Sequence, residues 1–168
     1  MKKLRWSKIF FRILFTMTII ALGASCASKP DLKDGGLTVA VWDLDDLTPA
    51  SAVRPHLGEI FSGQIIETLK KKGDYTVVER ERLILALEEL RLGTTKLVDE
   101  TTRLRLGRMI GARFMVFGGY QIIGNQMRID LRMVEVETGK IRKAVQKTTS
   151  GTDLSHWMDA ARKAAEEF

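Results

Sequence analysis

The spacing of hydrophobic and polar positions changes period along this chain, and each change marks an element. LTVAVWDL, residues 37–44, is β-branched and apolar on both faces, which predicts a strand buried in the middle of a sheet. After a loop with Pro49 and Pro55, the residues Leu57, Ile60, Phe61, Gln64, Ile65 and Leu69 recur at helical spacing as far as Lys70-Lys71-Lys72-Gly73. Cations followed by glycine suit a helix C-terminus, where carbonyls lack partners and the helix dipole is negative. YTVVE (75–79) predicts a second strand, and ERLILALEELRL (81–92) a second helix closed by Gly93. A third helix is expected from near Asp99 through Leu104, Leu106 and Met109 to Gly111.

From residue 113 the period falls to two. RFMVFGGYQIIG (113–124) predicts a third strand, Gly124-Asn125 a turn, and QMRIDLRMVEVE a fourth strand with Met127, Ile129, Leu131 and Met133 on one face. Glu137-Thr138-Gly139-Lys140 reads as a further tight turn into IRKAVQKTTS. In DLSHWMDAARKAAEEF, Leu154, Trp157, Met158, Ala161 and Ala165 form one stripe, with Asp153 or Ser150 as the cap. The order β-α-β-α-α-β-β-β-α predicts a single three-layer-like α/β domain with a mixed sheet, parallel at its start and antiparallel in its meander.

The N-terminus follows different rules. Residues 1–12 carry Lys2, Lys3, Arg5, Lys8 and Arg12 and no acid, and Ile13 to Gly23 is apolar except for Thr16 and Thr18. A basic head, a short apolar middle and a small-residue exit make a secretory signal. The apolar run is about half of the ~20 residues that a spanning helix needs. The single cysteine, Cys26, follows Gly23, Ala24 and Ser25, and this stretch resembles the lipobox of bacterial lipoproteins. The resemblance implies that the Cys26 thiol accepts a diacylglyceryl group and becomes the first residue of the mature chain. Gly23 stands where lipoboxes usually have Leu, with Leu22 one position earlier. The alternative is an ordinary secretory cleavage nearby, leaving a soluble protein with a spare thiol.

Residues 27–36, ASKPDLKDGG, are too polar to bury the surface that would offset ordering them, and read as a tether of about ten residues reaching up to ~35 Å. The expected division is therefore a signal peptide over 1–25, a flexible tether over 26–36 and an α/β domain over 37–168. The net charge of +6 at first suggests a nucleic-acid partner. Five of those charges lie in residues 1–25, which leaves the rest of the chain at +1, so no nucleic acid is expected.

VAVWDLDD at the opening of the domain, YTVVERERL, LGRMIGARFMVFGGY and MVEVETGKI together resemble the CsgG-like bacterial envelope lipoproteins. That group includes the curli secretion channel, the LpoB-type penicillin-binding-protein activators and the FlgO-type flagellar lipoproteins. The resemblance covers roughly residues 37–150. It implies an anchored, non-enzymatic accessory or scaffold at the periplasmic face of the outer membrane, bound to the bilayer through acylated Cys26. The implied protein partner is a peptidoglycan synthase, a flagellar or secretion component, or further copies of the chain. Ala27 after the cysteine, with no aspartate there, fits export to the outer membrane.

The alternative within the same family is a subunit of an oligomeric export channel. The alternation of Met127 to Met133 with Arg128, Asp130 and Arg132 fits a barrel wall as well as a sheet with one wet face. However, the turns at Gly124-Asn125 and at Glu137 to Lys140 leave no room for inserted hairpins, whose strands need about 9 to 11 residues each.

A different class of reading starts from Asp43-Leu44-Asp45, which resembles the opening of a haloacid-dehalogenase-type phosphatase with Asp43 as nucleophile and Asp45 as general acid. That chemistry needs a later carboxylate pair to hold Mg²⁺, and no adjacent aspartates follow residue 99. His56 and His156 are the only histidines and no Cys/His cluster exists, so neither a metal site nor a cofactor is expected. Gly118 and Gly119 inside a strand signal a close backbone approach or a bulge. Gly139 suits a positive-φ turn site, and Glu79 with Arg80 is expected to tie the second strand to the next helix by an ion pair. Trp157 and Met158 are expected in the core in preference to a partner groove.

Overall fold

A strand that is apolar on both faces needs a neighbour on each edge and a layer on each side, and the following elements supply them. The computed structural model describes residues 37–49, 56–90 and 98–168. They form β1 (Leu37–Val41), β2 (Asp45–Asp46), α1 (Leu57–Lys72), β3 (Tyr75–Val77), α2 (Arg80–Glu89), α3 (Glu100–Met109), β4 (Phe114–Ile123), β5 (Gln126–Glu135), β6 (Ile141–Ser150) and α4 (Leu154–Glu166). The sheet order is β3-β1-β4-β5-β6, with β2 also on β4. β1 runs parallel to both β3 and β4, and β4-β5-β6 is an antiparallel meander. The result is the expected mixed α/β single domain in the expected order, with the two-residue β2 as the one addition among the described residues.

Two cores sandwich the sheet. On one face Val39, Val41, Phe114, Val116, Tyr120 and the Met127, Ile129, Leu131, Met133 row pack against Phe61, Ile65 and Leu69 of α1 and Trp157, Ala161 and Ala165 of α4. On the other, Ala40, Trp42, Met115, Phe117 and Val134 pack against Leu83 and Leu87 of α2 and Leu106 of α3. The hydrophobic effect thus covers β1 on both faces, as its sequence requires. Caps follow the sequence as well: Asp99 accepts the Thr102 N–H and Asp153 accepts the His156 N–H. Ser150, the other candidate cap, is the last residue of β6. The positive-φ site falls where expected, with Gly139 at φ 69° in the β5–β6 turn.

Two of these expectations need correction. The strand 37–44 is not continuous. Val41 pairs with Val116 and Asp45 with Gly119, so four steps on one side face three on the other, and an extra residue interrupts the ladder. Trp42 still donates to the Val116 carbonyl at 2.9 Å, but Leu44 turns away and donates to Gly58 of α1 at 3.3 Å. Leu154 is 43% exposed, because the buried stripe of α4 runs through Ala160 and Ala164 in its place. Of the two alternatives at Gly118-Gly119 the close approach holds: a Cβ on Gly118 would meet the Asp130 carbonyl, the β4–β5 register runs through the pair unbroken, and the irregularity lies at Met133/Val134 against β6. The expected close of the second helix at Gly93 lies outside the described residues.

Glycine is required where the backbones meet. A Cβ on Gly58 would sit 2.1 Å from the Leu44 carbonyl oxygen, and one on Gly118 2.3 Å from that of Asp130, whereas Gly63 has open space. We expect Gly58→Ala and Gly118→Ala each to lower the unfolding free energy by roughly 2–3 kcal/mol. Gly63→Ala, inside α1, should raise it by about 0.4–1 kcal/mol. Urea denaturation of the three variants checks the contrast.

Candidate functional site

The interrupted strand presents three carboxylates in succession, and the extra residue sends each to a different partner. Asp43 accepts Arg80 Nη2 at 2.8 Å and Ser62 Oγ at 2.9 Å, joining α2 to α1. Asp45 takes both terminal nitrogens of Arg103, at 3.0 and 3.1 Å, and so fixes α3. Asp46 lies on the α1/α4 face, where burial and then its carboxylate push the Tyr120 phenol up and keep it protonated. Its Oδ1 also accepts the Thr48 N–H at 2.9 Å.

The arginines are engaged as fully as the acids. Arg80 reaches Glu59 as well, at 2.7 Å; burial opposes its charge, but the bonds to Asp43 and Glu59 outweigh that and hold its pKa above the ordinary value. Glu79 and Arg80 do not tie the strand to the helix as expected. As neighbours at a strand-to-helix junction they project in different directions, and Glu79 takes Lys70 at 2.9 Å. The Arg103 side chain is only 11% exposed and donates from Nε to the Val98 carbonyl at 2.9 Å. Its guanidinium lies over the Trp42 ring at 5.2 Å and the Phe117 ring at 6.0 Å.

This arrangement does not resemble a phosphoryl-transfer centre. Asp43, the candidate nucleophile, and Asp45, the candidate general acid, are each engaged by an arginine from a different helix. No group of three or more His, Cys, Asp or Glu that could hold a metal ion occurs among the described residues. His56 and His156 sit at the starts of different helices, beside Glu59 and Asp153. Trp157 is buried in the core and donates to the Gly151 carbonyl at 2.9 Å. Cys26 lies outside the described residues.

Beyond α3 the second face of the sheet is not covered by any of the described residues. Arg128 and Arg132 of β5 and Ala144, Gln146 and Thr148 of β6 are exposed there, while the other face of the same strands is core. Arg128 is bonded to Asp130 at 2.7 Å, and Arg132 to Glu100 of α3 at 3.1 Å. Between α3 and this face lies a cavity of about 530 Å³, floored by Gly118, Gly119 and Ala144 and walled by Leu47, Arg103 and Arg132. It is of a size that takes small ligands or partner side chains. Sequence reasoning missed Arg103. Its signal was an arginine three residues before Leu106 and seven before Ile110, on the apolar stripe of its own helix, where an unpaired cation would not be tolerated.

Fold and site together define a sheet domain whose Asp43 and Asp45 hold helices and whose antiparallel half, among the described residues, leaves one face and one edge open. The chain belongs to the CsgG family: the model of the curli production assembly/transport component CsgG matches residues 24–123. No curated protein sequence matches significantly. Among solved structures, the LpoB C-terminal domain from Salmonella enterica superposes with a TM-score of 0.58 at 18% identity, over 70% of this chain and 87% of that one. Lipoprotein GNA1162 from Neisseria meningitidis gives 0.57 at 10% identity, over 78% and 94%. A PelC dodecamer from Paraburkholderia phytofirmans gives 0.51 at 16% identity, over 79% and 84%. At these identities the likeness establishes the fold.

The Asp45–Arg103 contact makes a separable prediction. Lysine cannot reproduce the two-pronged bond or the stack on Trp42. With Asp45 42% exposed, the Coulomb part is discounted for solvent. Arg103→Lys should then lower stability by about 1–2 kcal/mol, while Arg105→Lys, on the exposed side of α3, should change it by less than about 0.5 kcal/mol. Thermal or urea unfolding distinguishes the two.

Proposed function

We propose that this protein is a lipoprotein of the bacterial cell envelope, held at the periplasmic face of the outer membrane by acylated Cys26, and that it acts as a non-enzymatic accessory in envelope assembly or secretion. The observation that carries this reading is the family match over residues 24–123, which takes in both the single cysteine and the parallel half of the sheet. Residues 1–25 serve as the signal and are removed, 26–36 form the tether, and 37–168 form the docking domain. The acyl chains supply the anchor: one holds only marginally, whereas two or three hold firmly. The tether then raises the local concentration of the domain near a membrane-bound partner by confinement, without any new contact. No helix among the described residues is long and apolar enough to cross a membrane.

A second reading has support from one structural relative. PelC is a dodecamer, and the family model is that of a transport component, so an assembly of copies is the runner-up. Against a pore built from the meander, β4 and β5 are joined by Gly124-Asn125 alone, and β5 and β6 by residues 136–140. Neither connection holds a hairpin of membrane-spanning length.

Labelled palmitate given to cells should enter the wild-type protein and not a Cys26→Ser variant, and flotation should move the variant from the membrane to the soluble periplasmic fraction. Equal labelling of both, or labelling of neither, would remove the anchor. Mass photometry of the detergent-solubilised protein separates the two readings: a monomer supports the accessory, a ring of many copies the assembly.

A further inference from the structure

The strand that closes the meander has little cover from the described residues. β6 is ten residues long and stands at the end of the sheet, bonded among the described residues to β5 alone. Of its ten side chains only Val145 is buried. A long open edge of this kind presents a row of unpaired donors and acceptors to any extended chain.

Its orientation can be followed residue by residue. Gly151 donates to the Asn125 carbonyl at 2.8 Å, so its backbone faces β5. Strand alternation then turns the backbone groups of Ser150, Thr148, Gln146 and Ala144 to the free edge. Thr149, Lys147, Val145 and Lys143 pair in register with Met127, Ile129, Leu131 and Met133, and their side chains share the α4 face. Ala144, Gln146 and Thr148 lie on the opposite, open face, and Ala144 and Gln146 line the cavity beside α3.

The charge on this strand is one-sided. From Lys140 to Ser150 there are four cations, Lys140, Arg142, Lys143 and Lys147, and no acid. Lys143 and Lys147 also reach Glu167 at the end of α4. Lys140 and Arg142 have no carboxylate partner among the described residues. Pairing β6 with the β6 of a second copy would set cation against cation, which is destabilising across a ladder. The same charges favour a strand that carries acids.

We propose that the free edge of β6 receives an extended segment of a partner protein in which acidic and apolar residues alternate. The segment adds to the sheet as a further strand. Its acids lie beside the cations at the start of the strand, Lys140 and Arg142, which have no carboxylate partner among the described residues, and its apolar side chains lie beside the small residue Ala144 at the lip of the cavity. Main-chain bonds supply affinity and the alternating side chains supply selection, as in other strand-addition complexes. This does not depend on the lipid anchor.

The test uses the full chain in detergent and a fluorescein-labelled ten-residue peptide of alternating Glu and Val, read by anisotropy. The peptide should bind saturably, and the same peptide with Lys in place of Glu should not. Lys140→Glu combined with Arg142→Glu should weaken binding by about tenfold or more, the direction expected for loss of cations from the edge. Gln146→Pro removes an outward N–H without touching the ladder to β5, and should abolish binding while circular dichroism stays unchanged. If that variant fails to fold, a peptide N-methylated at alternate residues gives the same readout on the wild-type protein and should not bind. The proposal is overturned by equal binding of the Lys peptide, by no binding of the Glu peptide at millimolar protein, or by N-methylation without effect. Disulfide-linked dimers of a Gln146→Cys variant that exclude the peptide would also overturn it, by assigning the edge to a second copy.

Discussion

The constraint on which the rest of this structure depends is one residue too many in the strand beside β4. Between Val41 and Asp45 the chain takes four steps while β4 takes three. A bulge bends its strand and re-aims the side chains that follow. Here it allows Leu44 to leave the ladder and bond to Gly58, which seats the start of α1 against the sheet at a distance where no side chain fits. It also turns Asp43, Asp45 and Asp46 toward three separate partners. Without the extra residue Asp45 would fall on the other face of the sheet, and Arg103 would be left on the apolar stripe of α3 without a counter-charge. With Arg103 only 11% exposed, removing Asp45 would leave a nearly buried cation without its counter-charge, at a cost greater than the intact pair contributes. An acid-rich stretch that looks like a reactive site is, in this fold, a clamp that joins α1, α2 and α3 to one strand.

How much of this was legible depended on whether the determinant was local. Helix ends and turns were read correctly at Gly73, Asp99, Gly124 and Gly139, because caps and positive-φ turns are decided by a few adjacent residues. The Met127 to Met133 face was legible for the same reason, since a period of two over a half-buried strand is a local pattern. The break after Val41 was not, because LTVAVWDL is uniformly apolar and only the register against β4, more than seventy residues away, reveals the extra step. Leu154 was misplaced because helical spacing alone does not say where the stripe begins, and the first turn of α4 projects past the edge of its core. The partners of Asp43 and Asp45 were illegible because arginines 37 and 58 residues downstream give no local sign of where the fold will bring them.

The sheet divides its labour between its halves. The parallel half, β3-β1-β4, is covered on both faces, as parallel strands connected through helices must be. The antiparallel half needs no crossover helix, and the described residues cover only its face under α1 and α4. That leaves a wet face whose charges are neutralised in place, Arg128 with Asp130 and Arg132 with Glu100, next to an edge with two cations that have no acidic partner among the described residues. The difference matters physically. A balanced face excludes non-specific adhesion in either sign, whereas an edge of one sign repels its own copies and sets a preference for the opposite sign. The extra residue near the start of the domain ties α1, α2 and α3 to the parallel half through Leu44, Asp43 and Asp45, and none of these contacts involves β5 or β6.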